Sequence, residues 1–197
     1  MIKRTFSLRL LAATLLAGAT IVPSAHASVV DFDAVPTGAC SISGPVVVDR
    51  FRLDNAGVNE AAQCDWIAPT AHSGSNYALN ANDQAGSLTI NGGYFSLNSL
   101  FIHRDDNESA TTVRFQGLKS FNGDVLFSQD VVLGAGWQEV TFAGWSGLTS
   151  FSWDPISPTE SNVALDDINV TAVPEPGSLA LLALGLAGLL ARRRSTK

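Results

Sequence analysis

The chain has 197 residues, 46% of them hydrophobic and 15% charged, with a formal net charge of −6. That charge is unevenly placed: residues 28–172 carry 17 acids against 5 bases, net −12, and the other seven basic residues lie near the two ends. So acidic a central segment excludes nucleic acid as a partner, because no basic patch is present to neutralise phosphates, and it suits divalent cations and a polysaccharide matrix.

At the N-terminus, Lys3, Arg4 and Arg9 accompany an apolar run from Leu10 to Val22, and Ala25-His26-Ala27 follows as an A-x-A cleavage signature. This order predicts a signal peptide over residues 1–27, removed by signal peptidase to leave a mature chain starting at Ser28. The apolar run is short for an uncleaved membrane span and stops at Pro23.

Residues 28–172 have the length of one domain. Their periodicity is two rather than 3.6, and strands are predicted at 29–33, 46–53, 77–80, 87–90, 95–103, 111–117, 125–127, 130–133, 139–142, 150–153 and 163–170. These runs are rich in Val, Phe and Thr and are separated by Gly, Asn, Asp and Pro, with Asn122-Gly123 as a two-residue hairpin turn. No amphipathic segment of helix length interrupts them, so the expected fold is an all-β antiparallel sandwich. Within 95–103, Leu100 and Ile102 fill positions that alternation would make polar, which predicts a central strand buried on both faces.

Cys40 and Cys64 form an even pair in the exported part, read as one disulfide closing a loop of 25 residues with both cysteines counted. Neither has a C-x-x-C partner or a neighbouring His, which disfavours a metal site or a thiol nucleophile. His103 precedes an acidic turn (Asp105, Asp106, Glu108), an arrangement more typical of a solvated loop than of a metal site. His72-Ser73 and Gly144-Trp145-Ser146-Gly147 do not make a nucleophile elbow, and there is no H-E-x-x-H, zinc spacing or phosphate loop. A non-catalytic protein is therefore expected, with no catalytic residue assigned. Trp137 and Trp145, beside glycines, are the candidates for stacking on sugar rings.

The last segment, 173–197, has three parts. Val173-Pro174-Glu175-Pro176 is a rigid turn, a helix is expected over about 177–191 from a run of Leu, Ala and Gly, and Arg192, Arg193 and Arg194 are a basic stop on the cytoplasmic side. The apolar run is marginal for a membrane-spanning helix, which suits a transient anchor.

This tail resembles the PEP-CTERM sorting signal of Gram-negative bacteria, also named the ice-binding protein C-terminal domain. The resemblance implies that an exosortase recognises the motif and cuts near Pro174, Glu175 and Pro176. It further implies delivery to the cell surface or extracellular matrix, in an exopolysaccharide or biofilm setting. The strand pattern of residues 29–171, ending in Ala164-Leu165-Asp166-Asp167-Ile168-Asn169-Val170, resembles the galactose-binding-like jelly rolls and carbohydrate-binding modules of that shape. This second resemblance implies a structural calcium between the first and last strands, from Asp31 or Asp33 and Asp166 or Asp167, whose hard oxygen ligands suit that ion. The leading expectation is a non-catalytic surface or matrix protein that binds carbohydrate. The alternatives are a secreted polysaccharide-active enzyme and a surface or ice adhesin, although the flat Thr-rich face that ice binding needs is absent from the sequence.

Overall fold

The computed structural model describes residues 26–38, 40–64, 67–80, 84–104, 111–119, 123–156, 162–173 and 185. The sorting motif, the terminal arginines, the signal segment before His26 and the acidic turn after Arg104 lie outside these residues. So does the 177–191 segment apart from Gly185, which is helical. Among the described residues no helix is long and apolar enough to cross a membrane.

Thirteen strands are seen among the described residues: β1 (His26–Val30), β2 (Ser41–Ser43), β3 (Val46–Val48), β4 (Phe51–Asp54), β5 (Ala56–Glu60), β6 (Asn76–Asn80), β7 (Gly86–Ile90), β8 (Tyr94–Arg104), β9 (Thr111–Leu118), β10 (Val125–Leu133), β11 (Gln138–Thr141), β12 (Ser150–Pro155) and β13 (Val163–Val173). They form two antiparallel sheets. The first runs β11-β8-β13-β6-β5-β2, with β1 also pairing β13, and the second runs β10-β9-β12-β7-β4-β3. The all-β antiparallel sandwich expected from the sequence is therefore what forms.

Inward-facing residues of both sheets share one core. Leu97, Leu100, Ile102, Leu165, Ile168 and Val170 come from the first sheet, and Phe51, Leu53, Leu88, Val113, Phe115, Phe151 and Trp153 from the second. Phe95 meets Phe51 edge to face with ring centres 5.6 Å apart, the arrangement that aromatic quadrupoles favour. Gly86 lies under the indole of Trp153, where a Cβ would collide with the ring.

The strands depart from the sequence expectation where a single backbone position redirects the chain. The 46–53 run splits into the β3–β4 hairpin because Asp49 adopts φ 52°, a left-handed position that Asp tolerates, and Val48 pairs with Phe51 across it. The two pieces expected at 125–127 and 130–133 are one edge strand, β10. β8 is central, between β11 and β13, as expected, but Leu100 and Ile102 face the same core as Phe95 and Leu97 rather than a second buried face.

A two-sided irregularity interrupts the β8–β13 ladder. Asp166 pairs with Phe101, Asn169 with Ser99 and Val170 with Leu97, so β13 holds an extra residue around Asp167 and β8 one at Asn98. Asp167 has φ 47°. This paired bulge switches which side chains of β8 face inward, from Phe95 and Leu97 to Leu100 and Ile102, and it turns two consecutive carboxylates toward one loop.

Candidate functional site

The outer faces of the two sheets differ. On the first sheet, the segment from Ala61 to Asn76 folds over β6, β8 and β13 and buries a small second core of Ala61, Ile67, Ala68, Tyr77 and Ala164, with Leu79 and Trp137 against it. The Cys40–Cys64 disulfide, with Cα atoms 5.2 Å apart, anchors the start of this cover. The Tyr77 hydroxyl donates to the Cys64 carbonyl at 3.1 Å and accepts from Asn59 Nδ2 at 3.3 Å.

Aspartates hold the far end of the cover. Asp33 Oδ1 accepts from the Ser75 and Asn76 amides at 2.7 and 3.1 Å. Asp166 accepts from the Ser73 amide at 3.0 Å and from the Asp167 amide at 2.8 Å. Asp167 takes the Ser73 hydroxyl at 2.8 Å on one oxygen and His72 Nδ1 at 2.7 Å on the other. A Cβ on Gly74 would run into the Asp33 carboxylate, and Gly74 has φ 56°, so glycine is required there on both counts. Burial pushes the Asp166 carboxyl up to about 6, overcoming the downward pull of the Ser73 and Asp167 amides, with the Asp167 charge adding to the rise.

The structure thus brings Asp33, Asp166 and Asp167, three of the four aspartates expected around a calcium ion, to one loop. Asp31 stays exposed and accepts the Asp33 amide at 3.3 Å. As arranged, the oxygens of Asp166 and Asp167 accept hydrogen bonds from the cover. Among the described residues no three His, Cys, Asp or Glu side chains are grouped to hold an ion.

Rings fill the same region. His72 stacks flat on Phe101 with centres 3.4 Å apart, and Trp137 meets His72, His103 and Tyr77 edgewise at 5.9, 5.3 and 6.2 Å. Trp137 Nε1 donates to the Thr70 carbonyl at 2.9 Å. Trp137 is thus engaged in holding the cover rather than presenting a bare face. Trp145 is corrected outright as a stacking candidate: it is 6% exposed, stacks on Phe127 at 5.5 Å and lies against Phe142 at 4.8 Å. His103 is buried at 3% exposure against Trp137, a packed ring rather than a ligand at the surface.

The outer face of the second sheet carries no such cover among the described residues. Strand register lines its outward side chains in rows: Val47, Arg52, Thr89, Ser150 and Leu118 in one, then Asp54, Ser87, Ser152, Gln116 and Ser128, then Asp154, Arg114 and Asp130. Arg114 Nε and Nη2 donate to the two oxygens of Asp130 at 2.8 Å each, which holds the Asp130 carboxyl below its ordinary value. Arg52 donates through Nε and Nη2 to Asp54 Oδ1 at 2.8 Å. In the same rows Thr89 Oγ1, Ser150 Oγ and Asp54 Oδ2 are buried and have no hydrogen-bond partner. A cleft of about 260 Å³ opens at the β3–β4–β7 end of this face, lined by Val47, Arg50, Arg52, Thr89 and Asn91 among others. The sequence reading missed this face because short Ser, Thr and Asp residues at alternate positions read as ordinary solvent-facing strand positions.

No curated protein matches the chain. Among solved structures, the sandwich is similar to a DUF4465 family protein from Bacteroides caccae, at 13% identity and TM-score 0.55, covering 75% of this chain and 100% of that one. It is also similar to the K2 cleaved adhesin domain of Lys-gingipain, at 14% identity and TM-score 0.52, covering 75% of this chain and 99% of that domain. CBM29-2, a family 29 carbohydrate-binding module, aligns at 11% identity with TM-score 0.42, over 77% of this chain and 94% of the module. At such identities these likenesses describe fold alone. Residues 172–194, which begin inside β13, match the PEP-CTERM protein-sorting motif, so the chain carries that sorting tag, which implies export, membrane association and exosortase processing.

Proposed function

We propose that this is a non-catalytic surface protein whose β-sandwich binds carbohydrate outside a Gram-negative cell, in an exopolysaccharide or biofilm matrix. The observation that carries the reading is the uncovered face of the second sheet. Its rows present arginine–aspartate pairs, Gln116 and serine hydroxyls on a rigid sheet, the donor and acceptor types that sugar hydroxyls need. The sorting motif supports the setting by delivering that face outside the membrane. The non-catalytic half of the reading is supported by Ser73, whose hydroxyl donates to Asp167 rather than to His72, so serine, histidine and aspartate are not in the relay order of a hydrolase.

Two experiments test it. The full chain in detergent on a glycan array is expected to retain glycans without releasing product, whereas released oligosaccharide, or no retention at all, overturns the proposal. Replacing Pro174, Glu175 and Pro176 with alanine is expected to leave the precursor at its unprocessed size. Unchanged processing would sink the exosortase step.

A further inference from the structure

We propose that the cleft at the β3–β4–β7 end of the second sheet binds a uronate unit of an acidic polysaccharide, with Arg50 taking the sugar carboxylate. The inference deepens the carbohydrate reading above and rests on it.

The argument begins with charge. Only five basic residues stand among 17 acids in residues 28–172, and two of them, Arg50 and Arg52, line this one cleft. Their situations differ. Arg52 is neutralised by Asp54 at 2.8 Å. Arg50 is exposed, donates through Nη2 to the Gly92 carbonyl at 3.1 Å, and pairs with no carboxylate among the described residues. In a domain this acidic, a cation without an internal counter-charge is the unusual group, and a guanidinium matches the planar fork of a carboxylate.

Position is fixed by the backbone. Arg50 is the second residue of the tight turn that Asp49 opens at φ 52°, and its carbonyl accepts the Asn91 amide at 2.7 Å. The turn and the 91–92 loop therefore hold Arg50 at two points, and the remaining guanidinium N–H groups are left for a ligand.

The surroundings suit a sugar better than a small anion. Val47, 67% exposed, offers an aliphatic wall for the C–H face of a pyranose. Asn91, exposed on the same cleft, offers a side-chain amide that both donates and accepts. A uronate supplies both the anion for Arg50 and neighbouring hydroxyls for Asn91.

The test is calorimetric titration of the full chain in detergent with oligogalacturonate and with the neutral oligogalactose obtained by reducing its carboxyl groups. Oligogalacturonate is expected to bind about tenfold more tightly than the neutral oligomer, with an affinity that falls as salt is raised. Arg50→Gln is expected to erase that preference, bringing the two oligomers to equal affinity, and Arg50→Lys to retain part of it, since charge remains but the fork is lost. Because the Arg50 side chain is exposed, an unchanged melting temperature confirms that these variants fold. Equal affinity for the two oligomers, or a preference that survives Arg50→Gln, overturns this inference and leaves carbohydrate binding standing. Failure of both oligomers and of the whole glycan array removes carbohydrate binding itself.

Discussion

The two outer faces of the sandwich solve the same chemical problem in opposite ways. Both are studded with polar side chains on a rigid sheet. On the first sheet those groups bind the protein's own loop: Asp33, Asp166 and Asp167 together accept from the amides and side chains of residues 72–76. On the second, among the described residues, no loop lies over the rows, and Arg52 and Arg114 pair only with the neighbouring Asp54 and Asp130. A polar group that closes an internal hydrogen bond stabilises the fold, and an exposed one on a face without a cover is available to a ligand. The first face is structural for this reason, and the second is the candidate for recognition.

The largest effect expected from breaking this contrast comes from the disulfide. Replacing Cys40 and Cys64 with serine releases the start of the cover and should lower unfolding free energy by about 3 kcal/mol, the chain-entropy value for a loop of this length. Denaturant unfolding of the full chain with and without the bridge measures it, and an unchanged midpoint would mean that the cover needs no staple.

Next in size is a pH dependence belonging to the covered face alone. Asp166 has a folded value of about 6, above its ordinary 3.8. Its contribution is therefore fully present below about pH 3.8 and is lost as pH rises through 6, on the order of 2 kcal/mol in all. Asp166→Asn should flatten melting temperature against pH across that window. A variant that keeps the wild-type slope would assign the dependence to another group.

The smallest effect is a paired comparison of two serines. Ser73→Ala removes the hydroxyl bond to Asp167 and should cost about 1 kcal/mol. Ser150→Ala removes a buried hydroxyl without a partner and should be neutral or stabilising by a few tenths of a kcal/mol. Equal losses at both positions would erase the distinction between the faces.

Much of the fold was legible because the strands bury one face and so alternate, as 111–117 and 150–153 do. The disulfide was legible from cysteine count and compartment. What was not legible depends on single backbone positions and on space supplied from elsewhere. Asp49 turns one valine-rich run into a hairpin, although valines continue up to the turn and phenylalanine resumes after it. The cover from Ala61 to Asn76 has no periodicity, since its geometry is set by hydrogen bonds to distant aspartates. Trp145 looked exposed among glycines, yet Gly117, lacking a Cβ, opens a slot that Trp145 and Leu148 fill. Asp33, just after β1, and Asp166 and Asp167 in β13 hold the same loop. The bulge at Asp167, which turns them toward amides, has no sequence signature.

The pairing of β1 with β13 ties the two ends of the exported domain together. His26 pairs with Ala172 and Ala27 with Thr171, so the expected signal-peptidase cut after Ala27 lies beside the strand that runs into the sorting motif. That cut would take away the first two residues of β1, leaving Ser28, Val29 and Val30 opposite Val170, Asn169 and Ile168. The last residues of β13 would then lose their neighbour on one side and keep only β8 on the other. Such a cut would bare a short edge of β13 at the end of this sheet, in the strand whose last residues begin the sorting motif.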